Sequence, residues 1–302
     1  MSQTILALAG IYLFIAVGFS AKYFFKEKID DKTITILSVY FLQVFLTFWG
    51  LLKRPIDATE LTSPIIYLAI TLFSLLLFIP LAKIFFSDIK ERSIATVAAL
   101  IGNTGNLGIP LAIAIFGEES IFYTTLINLV NVFVVYTIGV FYYSRGEFSL
   151  RDSLLNILKL PVLWAATVAI VLNIIGYRPS EVVNSTLMMG AYASMTIQLV
   201  LFGIYMYDIK LREISRKLTI FISTAKFIII PLITYVVLIN IDLSPMIKGI
   251  IFLQLLVPLA VANVNLASLY NSKPSVVTAQ VFITTLIFLA ILLFFPQVLM
   301  VF

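Results

Sequence analysis

The sequence predicts an all-α integral membrane protein of ten transmembrane helices, arranged as a 5+5 inverted repeat. Three observations carry this. Of 302 residues, 61% are hydrophobic and only 12% are charged, with a mean hydropathy of +1.09. A water-soluble domain carries about 45–50% apolar and about 25% charged residues, so this chain has half the charge needed to cover a soluble surface. The apolar residues form continuous runs that suit the ~20 residues a membrane helix requires, without the alternation of barrel strands. Finally, the fifth and sixth runs meet near residue 150, the middle of the chain.

Cutting the chain at its charge clusters gives spans of about 4–25, 33–51, 64–86, 93–116, 119–143, 160–177, 185–206, 218–240, 246–270 and 275–302, with little room between them for a soluble domain. The first 21 residues hold no Lys or Arg, and the first run is long enough to span, which argues against a secretory signal peptide. Fifteen basic residues fall on one set of alternate connections and four on the other, with Lys226 inside a span. Cytoplasmic loops collect Lys and Arg, so both termini are expected outside the cytoplasm of a multi-pass cell-membrane protein. Residues 144–159 read as a cytoplasmic linker with a short interfacial helix, its apolar side formed by Phe148, Leu150, Leu154, Leu155 and Leu158. The linker separates a first five-helix repeat, 1–143, from a second, 160–302. Five spans is an odd number, so duplicated halves would face opposite ways, a recurring transporter design.

One trace of duplication is visible. Pro110-Leu111-Ala112-Ile113-Ala114 in span four and Pro258-Leu259-Ala260-Val261-Ala262 in span nine both read PLAxA, 148 residues apart. An amide side chain, Asn106 or Gln254, precedes each proline by four residues. Both spans also carry helix-breaking residues. Gly102, Gly105 and Gly108 each weaken span four by about 1 kcal/mol, and Pro110 lacks a backbone donor. Asn103 and Asn106 are placed to bond freed backbone groups, and span nine repeats the theme with Gln254, Pro258, Asn263 and Asn265. Irregular backbone at membrane depth is tolerated only where it lines a cavity or is buried in protein. Gly and Pro also merely kink membrane helices, but two interrupted spans at matching places point to a midplane binding site.

All 15 acidic residues fall in connections or at span ends, so no carboxylate is expected to balance a cation in the membrane. Lys226 lies about nine residues into span eight, ~13 Å deep, where it either snorkels back to the interface or faces the interior as a functional cation. An interior Lys226, together with half-helix N-termini, suits a carboxylate ligand. Asn128 and Asn131 share a face of span five, and Gln43 and Gln198 read first as interhelical glue. The chain has no His and no Cys, which excludes zinc sites, thiol nucleophiles and disulfides; no metal or cofactor is expected. Sodium coupling through carbonyl and amide oxygens stays open, as does facilitated diffusion.

These residues resemble the auxin efflux carrier family, which includes plant PIN-type carriers and bacterial malate or malonate permeases. Gly102-Asn103-Thr104-Gly105-Asn106-Leu107-Gly108-Ile109-Pro110 and its continuation to Gly117 resemble the family's span-four signature. Tyr136-Thr137 with Ser144-Arg145-Gly146, Lys226-Phe227 with Pro231, Gln254 with Pro258, and Tyr270-Asn271 match further motifs in order. The resemblance implies a fold like those of bile-acid/sodium symporters and NhaA-type antiporters. Spans one, two, six and seven would form a scaffold, and spans three to five and eight to ten a transport domain in which helices four and nine cross. By family pattern span four breaks at Gly102-Asn103, whereas the PLAxA alignment centres the break on Pro110; both stay open here. The resemblance also singles out Asn131 as a substrate-contacting amide.

The expected function is secondary transport of a small organic anion, an auxin-like monocarboxylate or malate-like dicarboxylate, by alternating access. Gly102, Asn103, Gly105, Asn106, Pro110, Asn131, Lys226, Gln254, Pro258 and Asn263 are the expected substrate-binding residues. The alternative is a sodium-coupled symporter of the bile-acid type. A membrane enzyme would have only a Ser–Lys pair such as Ser223 with Lys226, and is not expected. Membrane lipid is an expected partner, nucleic acid is not, and a homodimer stays open.

Overall fold

The computed structural model describes residues 2–57, 60–144, 160–207 and 214–294, so the linker expected to hold the interfacial helix lies outside the described residues after Ser144. Among the described residues the chain is helical, with no strand beyond one isolated bridge. In order, the helices are α1 (Ser2–Phe25), α2 (Asp31–Leu52), α3 (Thr62–Phe85), α4 (Ile89–Val97) and α5 (Thr104–Phe116). Then come α6 (Ser120–Tyr143), α7 (Pro161–Ile174), α8 (Glu181–Tyr207) and α9 (Arg216–Ile239). The last are α10 (Pro245–Leu256), α11 (Ala262–Leu269) and α12 (Pro274–Phe294). Seven of the described helices are long and apolar enough to cross a membrane, and α5, α7 and α10 are shorter apolar helices.

Local chemistry sets the helix ends. Asp30, Asp88, Ser215 and Ser244 each precede a helix and accept a hydrogen bond from a backbone N–H of its first turn. Gly117, at φ +81°, ends α5 in the left-handed region and turns the chain into α6.

The chain divides into two compact units. The first comprises Met1–Thr62, Gly105–Leu129 and Leu158–Asp208. In it α1 lies along α8, and α2 packs on α7 and α8. A Cβ at Gly18 would stand 1.8 Å from the Val200 carbonyl oxygen, and one at Gly203 1.9 Å from that of Ile15. Only glycine permits this backbone approach, a common basis of helix association in lipid. Leu46, Trp49, Ile109, Ile121, Ala191 and Met195 form a buried cluster. Asn173 Nδ2 donates to the Leu51 and Arg54 carbonyls (2.6 and 2.7 Å), and its Oδ1 accepts from Ile56 N at 2.9 Å. One buried amide thereby satisfies the carbonyls left over where α2 ends.

The second unit comprises Ser63–Thr104, Val130–Ile157 and Ile209–Phe302. Phe221 of α9 sits among Phe78, Phe85 and Phe86, with ring centroids 5.4–6.3 Å apart. Lys273 reaches Asp88 (3.2 Å) and Glu91 (2.9 Å), and Lys90 donates to the Asn271 carbonyl at 2.7 Å, so the start of α4 is tied to the turn after α11.

Among the described residues four helical stretches have a widened turn with i→i+5 bonding: Leu37–Leu42, Thr104–Gly108, Val135–Gly139 and Ala225–Ile229. Two of them directly precede a proline in the first turn of the continuing helix, Pro110 and Pro231. A proline lacks a donor and clashes with the carbonyl four residues back. A widened turn moves that carbonyl aside while the helix continues. At Gly139 the missing Cβ leaves room for Ile101 and Leu266, whose methyls would lie 2.8 and 3.0 Å from it.

Candidate functional site

Two helices of the second unit stop in mid-course and cross. After α4 a tight turn, Ala98–Leu100, leads into extended backbone at Ile101 (φ −91°, ψ 85°). After α10 the chain extends at Val257 (φ −50°, ψ 147°), the region a residue before proline prefers. The two segments pair antiparallel, Gly102 opposite Leu259. Asn103 N donates to Pro258 O at 2.8 Å, and Ala260 N to Ile101 O at 2.9 Å. A buried backbone group without a partner costs about 1–3 kcal/mol. Each interruption supplies what the other needs, so neither is affordable alone.

Side chains complete the arrangement. Asn263 Nδ2 donates to the carbonyls of Ile101 (3.0 Å) and Ala260 (3.1 Å), and its Oδ1 accepts from the Tyr143 hydroxyl at 3.0 Å. Asn131 Nδ2 donates to Gly102 O at 2.9 Å, and its Oδ1 accepts from the Tyr67 hydroxyl at 3.2 Å. Each tyrosine fixes which end of its asparagine faces the crossing. Ser272 Oγ holds the Tyr143 carbonyl at 2.8 Å, and Leu259 N donates to Thr284 Oγ1 at 3.4 Å.

Lys226 lies within the widened turn of α9 and is 2% exposed; its ammonium donates to Ala99 O at 3.1 Å. Of the two readings of this lysine, snorkelling is corrected: the side chain turns inward. There it meets a carbonyl at the end of α4, where the helix dipole favours a cation. A Cβ on Gly102 would stand 3.2 Å from Lys226 Nζ and 3.2 Å from Val257 Cγ2, so the glycine leaves space for the ammonium.

Three side chains here hold buried polar atoms with unused capacity. Gln254 is fully buried with neither amide atom partnered, and Asn103 Nδ2 and Ser223 Oγ also have no hydrogen-bond partner. The Ser223–Lys226 pair considered for an enzyme is therefore not formed.

Of the expected residues, Gly102, Asn103, Asn131, Lys226, Gln254, Pro258 and Asn263 belong to the second unit, at or next to this crossing. Gly105, Asn106 and Pro110 fall in the first unit, on α5. The break in span four is at Ile101–Asn103, which corrects the alignment centred on Pro110: that proline sits in a helix. A Cβ at Gly105 would stand 2.9 Å from Asn128 Oδ1. Gln198, expected as interhelical glue, donates to Ser194 one turn back in its own helix at 2.9 Å. Asn265 is exposed. Tyr67, Tyr143, Ser272 and Thr284 were not expected. Only the position of Tyr143 beside the Ser144-Arg145-Gly146 motif hinted at a role.

A family model described as "membrane transport protein" matches the chain twice, over residues 4–153 and 147–296. The chain belongs to this auxin efflux carrier family. An uncharacterized transporter of Methanocaldococcus jannaschii is 22% identical over 290 residues, covering 91% of this chain and 92% of the relative. The protein is thus a multi-pass membrane transporter and not an enzyme.

Proposed function

We propose that the transporter carries small organic anions, auxin-like monocarboxylates or malate-like dicarboxylates, by alternating access, with the carboxylate held within the second unit beside the crossing of the extended segments that follow α4 and α10. The observation that carries this reading is the buried Lys226 ammonium at a site where Asn103 and Gln254 keep amide groups without partners. An ammonium and two N–H-bearing amides complement a carboxylate. Four carbonyls at the crossing, those of Ala99, Ile101, Gly102 and Pro258, already accept from N–H donors, which weighs against a sodium site there.

In this reading the seven long and three shorter apolar helices, with α4 and α11 as the other halves of the broken spans, are ten spans in inverted halves, with both chain ends outside the cytoplasm of the cell membrane. Spans one, two, six and seven act as the scaffold. The grouping of α1, α2, α7 and α8 in one compact unit supports that role. Residues 105–129 cluster with that unit as well, so an elevator or rocking motion has to break or carry their contacts. One is Glu118, which accepts from Lys53 Nζ at 2.8 Å and from the Tyr192 hydroxyl at 3.0 Å.

The test is uptake of labelled malate and labelled indole-acetate into liposomes, with and without a sodium gradient. Saturable, sodium-independent uptake that is lost in the Asn103→Leu/Pro258→Ala double variant is the expected result. Full uptake by that variant overturns the site, and strict sodium dependence overturns the reading without a sodium site.

A further inference from the structure

Between α3 and α9, at the end where α9 begins, runs an open groove of about 380 Å³ lined by Leu81, Phe85, Phe86, Lys217, Ile220, Phe221, Thr224 and Ile229. All of it lies within the second unit. Its volume falls in the range of about 300–1,000 Å³ usual for small-ligand sites. Its walls are apolar apart from Thr224 and, at the mouth, Lys217, whose ammonium stands 5.3 Å from the centre of the Phe86 ring.

We propose that this groove binds one acyl chain of an anionic phospholipid, whose phosphate is held by Lys217 and Arg216. Length supports the chain: Lys217 to Ile229 spans ~18 Å at the helical rise, against ~15 Å for one leaflet's share of the bilayer core. Charge supports the headgroup. Lys217 lines the groove's mouth, and Arg216, its neighbour in sequence, lies one helical turn before the lining residue Ile220, within a side chain's reach of the same end. Both are exposed, and neither has a carboxylate partner among the described residues. Asp88 and Glu91, the acids that follow the Phe85–Phe86 wall in sequence, are engaged by Lys273. The first turn of α9 contains no acidic residue, so two cations stand at the positive end of a helix dipole, an unfavourable placement that a bound phosphate would offset. Basic pockets between membrane helices are suited to anionic headgroups.

A second groove between the same helices, about 660 Å³ and lined by residues such as Ile66, Phe73, Leu232 and Ile241, has no charged residue in its lining. It provides the internal control, because it would accept acyl chains without regard to headgroup.

The experiment is a thermal-shift titration of the delipidated full chain in neutral detergent with phosphatidylglycerol, phosphatidylcholine or glycerol phosphate. The expected result is a saturable rise in Tm of several degrees with phosphatidylglycerol, well beyond that with phosphatidylcholine at equal mole fraction. The Arg216→Gln/Lys217→Gln variant is expected to keep its Tm in detergent alone but to respond equally to the two lipids. Thr224→Trp, which fills the groove and keeps both cations, is expected to lose the preference as well. Equal shifts from both lipids in the unaltered protein overturn the proposal, as does a full preference retained by either variant. A shift of the same size with glycerol phosphate alone overturns the acyl-chain part and leaves a site for a free anion.

Discussion

Pro110 and Pro258 open the same five-residue string, PLAxA, and end in different backbone states. Pro110 sits in the first turn of a helix that continues from the widened turn Thr104–Gly108. Pro258 lies in extended backbone, its carbonyl taken by Asn103 N. A proline raises the cost of regular helix at both places, but it does not choose the remedy. At Pro110 a turn widens and the helix survives. At Pro258 the helix ends, because an antiparallel segment and Asn263 stand ready to bond the exposed backbone.

The largest effect that sharpens this comparison is on transport. Pro258→Ala restores an N–H that can extend α10 through the Gln254 carbonyl and compete with the crossing. With about 1–3 kcal/mol at stake per displaced buried pair, liposome uptake is expected to fall roughly tenfold or more. Pro110→Ala, at a position where helices tolerate proline, is expected to stay within about twofold. Equal losses in the two variants would break the distinction.

The glycines within the break and just after it give a smaller contrast. Gly102→Ala places a methyl 3.2 Å from both Lys226 Nζ and Val257 Cγ2, where two chain segments are already bonded to each other. Thermal unfolding should show a loss of about 1–3 kcal/mol. Gly105→Ala meets only the end of the Asn128 side chain and gains about 1 kcal/mol of helix propensity, so its Tm should hardly move.

Smaller again is Tyr143→Phe, which removes the hydroxyl that orients Asn263. The expected loss is about 1 kcal/mol in thermal or denaturant unfolding, with a larger loss for Asn263→Leu. A Tyr143→Phe protein as labile as Asn263→Leu would mean that the tyrosine does more than orient the amide.

The smallest effect lies away from the crossing. The hydrogen bond from Lys53 holds the Glu118 carboxyl below its ordinary range, with the Tyr192 hydroxyl adding to it. A depressed carboxyl contributes stability above its unfolded pKa and loses it as pH falls through the folded value. Tm should therefore decline on acidification below about pH 4.3, the ordinary glutamate value, and Glu118→Gln should flatten part of that decline. Because the side chain is 44% exposed, screening keeps the change small.

The helices were legible in the sequence because each is a local matter. A run such as Thr62–Phe85 must be helical in lipid, where every backbone group needs a partner, and Asp30, Asp88, Ser215 and Ser244 mark helix starts through bonds to their own first turns. The amides that gather at the crossing, Asn103, Asn131, Gln254 and Asn263, were also readable, since an amide in a hydrocarbon setting asks for a reason. The sequence left open where span four breaks and which way Lys226 points. A repeated string measures likeness along the chain, whereas a break is positioned by what stands across from it. Leu259 lies opposite Gly102, Ala99 meets Lys226, and Tyr143 and Tyr67 hold the two asparagines. None of these partners is near in sequence. The sequence alone determined that the chain lives in a membrane, where its helices run, and that two of them carry breaking residues. Only the tertiary structure decided which residues abandon the helix, because a backbone can leave its own hydrogen bonds only where another part of the molecule replaces them.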